Sequence, residues 1–244
     1  MKMEGMTALV TGGTAGIGRE LAKQLVERGA QVIITGRDKA RLDEMAAWNA
    51  RIVPYPVDFS VSDEVDKFVH DLALDYPDLS LVINNAGVQK HMDLVHGADE
   101  MPEIRKELAV NLDALIAVTV GLVPVLAARG GGKIVNISSG LGVFPKAASP
   151  VYCAAKAAVR SFTRSIRYQC EDAHNKVRVV DAVMTFVDTG MTAGRGRGKI
   201  SPAKAAAEVI AGIDAGVDEI WVGMTKILRR LNRLSPRLAA RILR

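Results

Sequence analysis

The residues most able to do chemistry in this sequence are Tyr152 and Lys156, with Ser139 thirteen residues before the tyrosine. In a helix, a spacing of four residues puts the phenol and the ammonium on one face, about one turn apart. The pKa of a phenol is about 10 in water, so it is a slow acid or base at neutral pH unless a cation stabilises the phenolate. Lys156 would supply that charge, and Ser139 would donate a hydrogen bond to a carbonyl oxygen that becomes negative. By itself, this spacing also fits an ordinary surface helix. The motifs elsewhere in the chain must therefore decide whether the pair is catalytic.

A predicted strand, a glycine-rich turn and a helix open the chain in the order that a nucleotide site requires. The predicted contacts of this turn with a dinucleotide are Gly12, Thr14, Gly16, Ile17 and Gly18. The first glycine suits a tight turn, the second lets the backbone approach a pyrophosphate, and the third permits close packing of the helix. No Lys-Ser/Thr pair follows the turn, which disfavours a loop that binds nucleoside triphosphates.

Arg37 follows the second predicted strand, about twenty residues beyond the glycines, where a dinucleotide fold contacts the adenosine ribose. Its guanidinium suits a 2′-phosphate, whereas a carboxylate here would accept hydrogen bonds from a free hydroxyl and repel phosphate. We therefore expect NADP(H) to be preferred, with NAD(H) as the alternative because Asp38 is adjacent. Asp58, after the third strand, would accept a hydrogen bond from an adenine amino group or would cap the next helix.

Further polar and small residues follow the strands that come next. Asn85, Ala86 and Gly87 follow the fourth predicted strand, where small residues would let the backbone pass beside the cofactor. Asn111 lies inside a long apolar helical region, where its amide either satisfies a hydrogen bond in the core or holds a water for proton transfer. Ser139 ends the fifth strand, at the edge where α/β sheets bind their ligands.

Five motifs in this order resemble the short-chain dehydrogenase/reductase family over nearly the whole chain. They are Thr11-Gly12-x-x-x-Gly16-x-Gly18, Asn84-Asn85-Ala86-Gly87, Asn111, Ser139 and Tyr152-x-x-x-Lys156. The resemblance implies an α/β fold: one doubly wound Rossmann domain, with a seven-stranded parallel sheet in the order 3-2-1-4-5-6-7 and helices on both faces. The implied catalytic tetrad is Asn111, Ser139, Tyr152 and Lys156. Tyr152 would be the acid or base, Lys156 would also hold the nicotinamide ribose, and Asn111 would anchor a water.

Two further observations refine the resemblance. The segments after the fourth strand, around Tyr152 and at residues 187–190 resemble the DltE-like branch of the family. The family usually has Pro-Gly where Met184 and Thr185 stand, so contacts of Val187 and Thr189 with the nicotinamide amide are less firmly implied. The implied reaction is reduction of a small ketone or aldehyde by NADPH, or oxidation of a secondary alcohol in reverse.

The net charge of +5 is concentrated at the C-terminus. Residues 224–244 carry seven basic and no acidic residues, which leaves the preceding chain at −2. Nucleic-acid binding by the whole protein is therefore not expected. We expect residues 224–244 to form a basic amphipathic helix that belongs to the same domain as residues 1–223. Packing on its own domain or a sister subunit is favoured over contact with an anionic membrane surface.

Composition and cysteine usage favour a soluble protein of the cytoplasm. Cys153 and Cys170 form no disulfide framework, which is typical of a reducing compartment. His91 and His96 lack the spacing of metal ligands, so no metal is expected. The apolar stretch 108–128 contains Asn111 and two other residues that favour a buried helix over a membrane span.

Rival functions and the oligomeric state follow from the same residues. A protein that senses NADP without turnover is disfavoured by the intact Ser139, Tyr152 and Lys156 set. A membrane-associated accessory protein is disfavoured because apolar helix faces commonly pack on a protein core. The apolar helices around Asn111 and after Tyr152 resemble those through which the family pairs its subunits. The resemblance therefore implies a homodimer or a homotetramer.

Overall fold

The computed structural model describes residues 3–95 and 100–234, with the backbone alone for residues 230–234. Within these residues, seven strands form one parallel sheet in the order β3-β2-β1-β4-β5-β6-β7. The strands are β1 (Thr7–Val10), β2 (Gln31–Gly36), β3 (Ile52–Pro56), β4 (Leu79–Asn84), β5 (Gly132–Ser139), β6 (Val177–Met184) and β7 (Glu219–Trp221). The predicted fold class and strand order are confirmed.

Helices alternate with the strands along the described chain. They are α1 (Gly16–Glu27), α2 (Lys39–Trp48), α3 (Ser62–Asp75), α4 (Met101–Leu108), α5 (Ala114–Ala128), α6 (Pro150–Asp172), α7 (Pro202–Ala215) and α8 (Thr225–Leu234). The long helical region predicted around Asn111 is present, and a π-helical turn, Ala109–Asp113, joins its two parts, α4 and α5. Such a turn widens the helix by one residue and re-aims the side chains within it.

Both faces of the sheet are covered. Ala8 and Val10 belong to the core that contains α1, α2 and α7, whereas Leu9 between them belongs to the core with α3, α5 and α6. Successive side chains of a strand point to opposite faces, so a strand with helices on both sides is apolar throughout. The wholly buried sequence of β1 has this cause.

The sheet reverses its strand order between β1 and β4. The chain runs outward from β1 to β2 and β3 on one side, and from β4 to β5, β6 and β7 on the other. The segments that follow β1 and β4 therefore diverge and leave a crevice beyond the carboxyl ends of the strands, where α/β folds bind ligands.

Two apolar or basic helical regions bear on the membrane question. The helical stretch Met101–Ala128 is long and apolar enough to cross a membrane by length and composition alone. Val118, Leu122 and Leu126 of α5 are almost fully buried in the core shared with α3 and the sheet, so we interpret α5 as a sheet-covering helix. The predicted basic helix over 224–244 lies partly outside the described residues, from 235 onward, and its assignment to the same domain stays a prediction.

Candidate active site

Ser139, Tyr152 and Lys156 lie together at the carboxyl end of β5. Ser139 is the last residue of β5, and α6 begins so close to it that the Ser139 hydroxyl hydrogen-bonds with Tyr152. The Lys156 Nζ lies 5.8 Å from the centroid of the Tyr152 ring and donates a hydrogen bond of 2.8 Å to the Ile137 carbonyl. The strand that ends in Ser139 therefore also holds the ammonium that faces the phenol.

Burial dominates the protonation of this set. It raises the pKa of Tyr152 to about 12, although the Ser139 hydrogen bond acts to lower it. Burial likewise lowers the pKa of Lys156 to about 8, although the charge of Asp181 acts to raise it. The sequence predicts a lowered Tyr152 pKa, and the described residues give the opposite direction, because a phenolate and an ammonium both lose solvation in the same place. Tyr152 therefore carries its proton at neutral pH, which suits proton donation.

Asn111 lies at the centre of the π-helical turn and is fully buried. Its amide nitrogen donates to the Val88 carbonyl at 2.7 Å, and its amide oxygen accepts from the Val88 backbone N–H at 3.0 Å. The sequence left two roles open for this amide, a hydrogen bond in the core or the binding of a water. The side chain makes the hydrogen bonds in the core. Asn111 thereby fixes the segment after β4, and a Cβ at Gly87 would lie 2.9 Å from its amide oxygen. That close approach accounts for a glycine at residue 87.

Asn85 and Ala86 brace the turn after β1. The Asn85 amide donates to the Thr11 and Gly12 carbonyls at 2.9 and 3.3 Å. The Thr11 hydroxyl in turn accepts from the backbone N–H groups of Asn85 and Ala86, both at 2.9 Å. Thr11 was not predicted as a site residue, although its place directly before the first glycine was a signal. The Asn85 side chain is therefore occupied in shaping the glycine turn.

The glycine turn has the shape that a pyrophosphate requires. Gly12 and Gly16 have φ angles of 66° and 53°, in the region that favours glycine. A Cβ at Gly18 would lie 2.2 Å from the Gly12 carbonyl oxygen, so only glycine fits there. No side chain caps the N-terminus of α1, which leaves its first N–H groups for an anion. Ile17 is half-buried and packs on the core beneath this turn.

Arg37 follows β2 directly, and its side chain is 56% exposed. Asp38 caps α2 by accepting a hydrogen bond from the Arg41 N–H at 3.2 Å. The Asp38 carboxylate is thus used to cap α2. Arg37 is the charged residue that directly follows the end of β2. Thr14 of the glycine turn lies next to this strand end, because a Cβ at Gly36 would be 2.8 Å from the Thr14 methyl carbon.

Asp58 lies near Arg37, with 3.7 Å between its carboxylate and the guanidinium. It accepts hydrogen bonds from the N–H and the hydroxyl of Ser60 at 2.9 and 2.7 Å. Burial acts to raise the pKa of Asp58, but the Ser60 hydrogen bonds and the Arg37 charge outweigh it and leave the pKa below its usual value. The alternative that Asp58 caps α3 is not found, because Val61 occupies that position without a side-chain cap.

The segment after β6 closes over the glycine turn. A Cβ at Gly16 would lie 3.1 Å from the Thr189 methyl carbon, so the two segments are in near contact. Val187 is buried in the core and pairs with Ile200 in a short parallel bridge. Thr185 stands where the family has glycine, and its side chain packs against Gly223. A Cβ at Gly223 would lie 2.8 Å from the Thr185 methyl carbon, so the glycine leaves room for the threonine. A missing glycine in one segment is thus matched by a glycine in another.

A polar chain that the sequence did not reveal spans the crevice. Arg195 donates to the Gln89 amide oxygen at 2.8 Å, and the Gln89 amide nitrogen donates to the Ser149 hydroxyl at 3.1 Å. Ser149 immediately precedes α6 and is almost fully buried. The glycine-rich loop that carries Arg195 is therefore tied to the segment after β4. Arg195 and Gln89 are 106 residues apart, so no local pattern could pair them.

This fold and site define a dinucleotide-binding oxidoreductase of the α/β class. The family model described as short chain dehydrogenase matches residues 6–199. The chain is 38% identical over 191 residues to an uncharacterized oxidoreductase, DltE, of Bacillus subtilis, covering 78% of this chain and 75% of that protein. It is 34% identical over 178 residues to a probable NADP-dependent dehydrogenase of Haemophilus influenzae, covering 72% and 69%.

One solved structure is similar over the whole of both chains. It is a short chain dehydrogenase from Burkholderia cenocepacia in complex with NADP, with a TM-score of 0.87 and 30% identity. The chain therefore belongs to the short-chain dehydrogenase family. It is an NAD(P)-dependent oxidoreductase that acts on CH–OH and C=O groups, and the predicted similarity to DltE is confirmed.

Proposed function

We propose that this protein transfers a hydride between NADP(H) and a small carbonyl compound or secondary alcohol, with Tyr152 as the general acid or base. The observation that carries the proposal is the convergence of Ser139, Tyr152 and Lys156 at the carboxyl end of β5. When bound, NADP(H) supplies or accepts the hydride. The remaining task of the protein is to orient the carbonyl group and to move one proton.

Each member of the set has a role that its contacts support. Tyr152 holds its proton at neutral pH and gives it to the carbonyl oxygen during reduction. Ser139 donates a hydrogen bond to the same oxygen as negative charge develops there. Lys156, fixed by the Ile137 carbonyl, stabilises the resulting phenolate and holds the nicotinamide ribose. Asn111 holds the segment after β4 beside this site through both ends of its amide. Its further role in this proposal, to anchor a water in the proton relay, rests on membership of the family.

The dinucleotide runs from the glycine turn to Tyr152 in this proposal. The N-terminus of α1 would hold the pyrophosphate, Asp58 would accept a hydrogen bond from the adenine amino group, and Arg37 would bind the 2′-phosphate. The remaining proposed contacts are Gly12, Thr14, Gly16, Ile17, Gly18, Asn85, Ala86, Gly87, Val187 and Thr189. The preference for NADP is supported by the exposed guanidinium of Arg37 and by the NADP bound to the Burkholderia cenocepacia protein.

The substrate crevice combines apolar walls with one polar bridge. Leu141 and Val143 are half-buried beside Ser139, and Met191 is 37% exposed on the opposite loop. The bridge of Arg195 and Gln89 lies between the two sides. We therefore propose a medium-sized, largely apolar carbonyl compound as the substrate.

We further propose that the protein is a homodimer or homotetramer of the cytoplasm. The outward face of α5 is apolar, with Val120 53% exposed, and Leu108 at the end of α4 is 36% exposed. Cys153 and Cys170 are both free and buried, which suits a reducing compartment. The described start of α8 contacts its own domain, because Lys226 pairs with Glu208 at 2.8 Å. Packing of this helix on the protein is therefore favoured over membrane contact.

The experiment compares the wild type with Tyr152→Phe in full-length protein. NADPH oxidation is measured over a panel of ketones and aldehydes, and NADPH binding is measured by fluorescence. We expect Tyr152→Phe to lose about 10²- to 10⁴-fold in kcat and to keep coenzyme binding. Tyr168→Phe is the matched control, because Tyr168 lies on the same helix and is 54% exposed. Near-normal turnover by Tyr152→Phe would show that the assigned role is wrong.

A further inference from the structure

Asp181 is a carboxylate in the middle of a strand whose other buried residues are apolar. It lies in β6, is only 3% exposed, and faces α6. The Ser138 hydroxyl donates a hydrogen bond to one carboxylate oxygen, and the Arg160 guanidinium lies 3.0 Å from the other. A buried charge is costly unless it is paired and hydrogen-bonded, so both partners are needed to keep Asp181 ionised.

The partners of Asp181 are also neighbours of Lys156. Arg160 follows Lys156 by four residues on α6, so the two cations share one face of the helix. The Lys156 ammonium is bound by the carbonyl of Ile137, and Asp181 is bound by the side chain of Ser138, the next residue of β5. Two consecutive residues of the strand that ends in Ser139 therefore hold the ammonium and the carboxylate.

The electrostatic problem at Lys156 is the loss of solvation. Burial lowers the pKa of Lys156 to about 8, and the charge of Asp181 is what opposes this shift. Burial raises the pKa of Asp181 above its usual value and Glu219 adds to this, while Arg160, Ser138 and Arg167 act in the opposite direction and limit the rise. Because its pKa is about 8, Lys156 is protonated at neutral pH, but only about one pH unit separates it from deprotonation. The negative charge of Asp181 offsets part of the lost solvation of the ammonium.

We propose that Asp181 is a positioning residue for the reaction, whose buried carboxylate keeps Lys156 positively charged beside Tyr152. Arg160 and Ser138 hold this carboxylate in its ionised state. The proposal rests on the proposed function, since the charge on Lys156 matters only if Tyr152 passes through a phenolate. Without Asp181, Lys156 would lose its proton within the working range of pH, and the phenolate of Tyr152 would lose its counter-charge.

A purely structural role for Asp181 predicts a different result. In that case the pair with Arg160 would only attach α6 to β6, and its loss would lower stability without changing the titration of Lys156. The pH at which Lys156 loses its proton therefore distinguishes the two roles. A measurement of stability alone does not distinguish them.

The first measurement is direct and independent of turnover. Lysine labelled with ¹³C at Cε is followed by NMR through a pH titration of the full-length protein, with the Lys156 signal assigned from Lys156→Met. We expect Asp181→Asn to titrate at a pH about one unit or more below the wild type. Glu219→Gln is the matched control, because it removes a second carboxylate that pairs with Arg160, at 3.8 Å, and leaves Asp181 with both of its partners. Identical Lys156 titrations in the wild type and Asp181→Asn would overturn the proposal.

The second measurement is the pH profile of carbonyl reduction with saturating NADPH. The fall in kcat at high pH is expected to move to lower pH in Asp181→Asn, by the same interval as the NMR titration. If Asp181→Asn does not fold, the double variant Asp181→Asn with Arg160→Gln leaves no unpaired guanidinium and is expected to shift in the same direction. A shifted NMR titration with an unchanged kcat profile would instead contradict the proposed role of Lys156 in catalysis.

Discussion

Gly142 lies directly against the backbone of Lys156. A Cβ at Gly142 would be 2.7 Å from both the carbonyl carbon and the carbonyl oxygen of Lys156. The short 3₁₀ turn after β5, Gly140–Gly142, is therefore seated on the helix that carries Tyr152. The distance between Ser139 and Tyr152 depends on this contact, because Ser139 is the residue from which the turn departs.

We expect Gly142→Ala to separate Ser139 from Tyr152. The added methyl group must push the turn away from backbone atoms, which cannot move aside as a flexible side chain would. A displacement of about 1 Å at reacting groups costs about 100-fold in rate, so kcat for carbonyl reduction should fall by roughly that factor. Coenzyme binding, measured by NADPH fluorescence, should change little. Gly190→Ala is the control, because a Cβ there meets no atom within 4 Å. Equal kcat values for the two variants would contradict this explanation.

Arg37→Gln tests the choice between the two dinucleotides. The variant removes a charge that suits a 2′-phosphate and leaves the ribose hydroxyl contacts of NAD available. A hydrogen bond to a charged group contributes about 1.5–3 kcal/mol, so the KM for NADPH should rise about 10- to 100-fold while the KM for NADH stays nearly constant. Arg41→Gln is the control, since its guanidinium pairs with Asp38 at 3.2 Å. A similar rise for both dinucleotides would show that Arg37 supports the loop and does not recognise the phosphate.

The sequence was sufficient for the fold because local and long-range signals agree. The apolar strand, the glycine turn and the helix at the N-terminus are local patterns, and the structure contains all three in the predicted order. The spacing of Tyr152 and Lys156 likewise has a direct structural meaning, because both lie on α6 and face the end of β5. Residue types and intervals along the chain carry this information.

Features that depend on contacts between distant segments were not predicted. The π-helical turn at Asn111 follows from its hydrogen bonds with Val88, which lies 23 residues earlier. The bridge from Arg195 to Gln89 also joins distant loops. The direction of the Tyr152 pKa was wrong because spacing reveals the nearby cation but does not measure burial. The sequence contains an acidic residue between apolar residues at Asp181, but it does not reveal the partners of that carboxylate.

Lys156→Met should stabilise the protein at neutral pH while it abolishes turnover. The pKa of Lys156 in the folded state, about 8, lies below the ordinary lysine value of 10.5, so between these values the unfolded chain binds more protons and stability rises with pH. Below about pH 8, keeping the buried ammonium charged therefore costs about 3 kcal/mol. The variant avoids this cost but loses the hydrogen bond to Ile137, worth about 1 kcal/mol.

The measurement is the free energy of unfolding in urea at several pH values. We expect the advantage of Lys156→Met at pH 7 to shrink as the pH rises from about 8 to about 10.5, because the wild-type lysine then becomes neutral in both states. Lys133→Met measures the loss of a comparable hydrogen bond, since Lys133 donates to the Ile213 carbonyl at 2.8 Å. A difference between Lys156→Met and the wild type that does not vary with pH would refute the burial argument.

Val120→Asp tests whether the outward face of α5 joins two copies of the chain. Val120 is 53% exposed in the middle of an apolar helix, and a charge there would lose its hydration if the face were covered by a second subunit. We expect the variant to have a lower molar mass than the wild type by light scattering at the same concentration. Leu74→Asp is the control, because Leu74 is 66% exposed on α3 and is not part of this face. If Val120→Asp keeps the wild-type mass, subunits that do associate must use another surface, because an aspartate in a closed apolar interface would be too costly to tolerate.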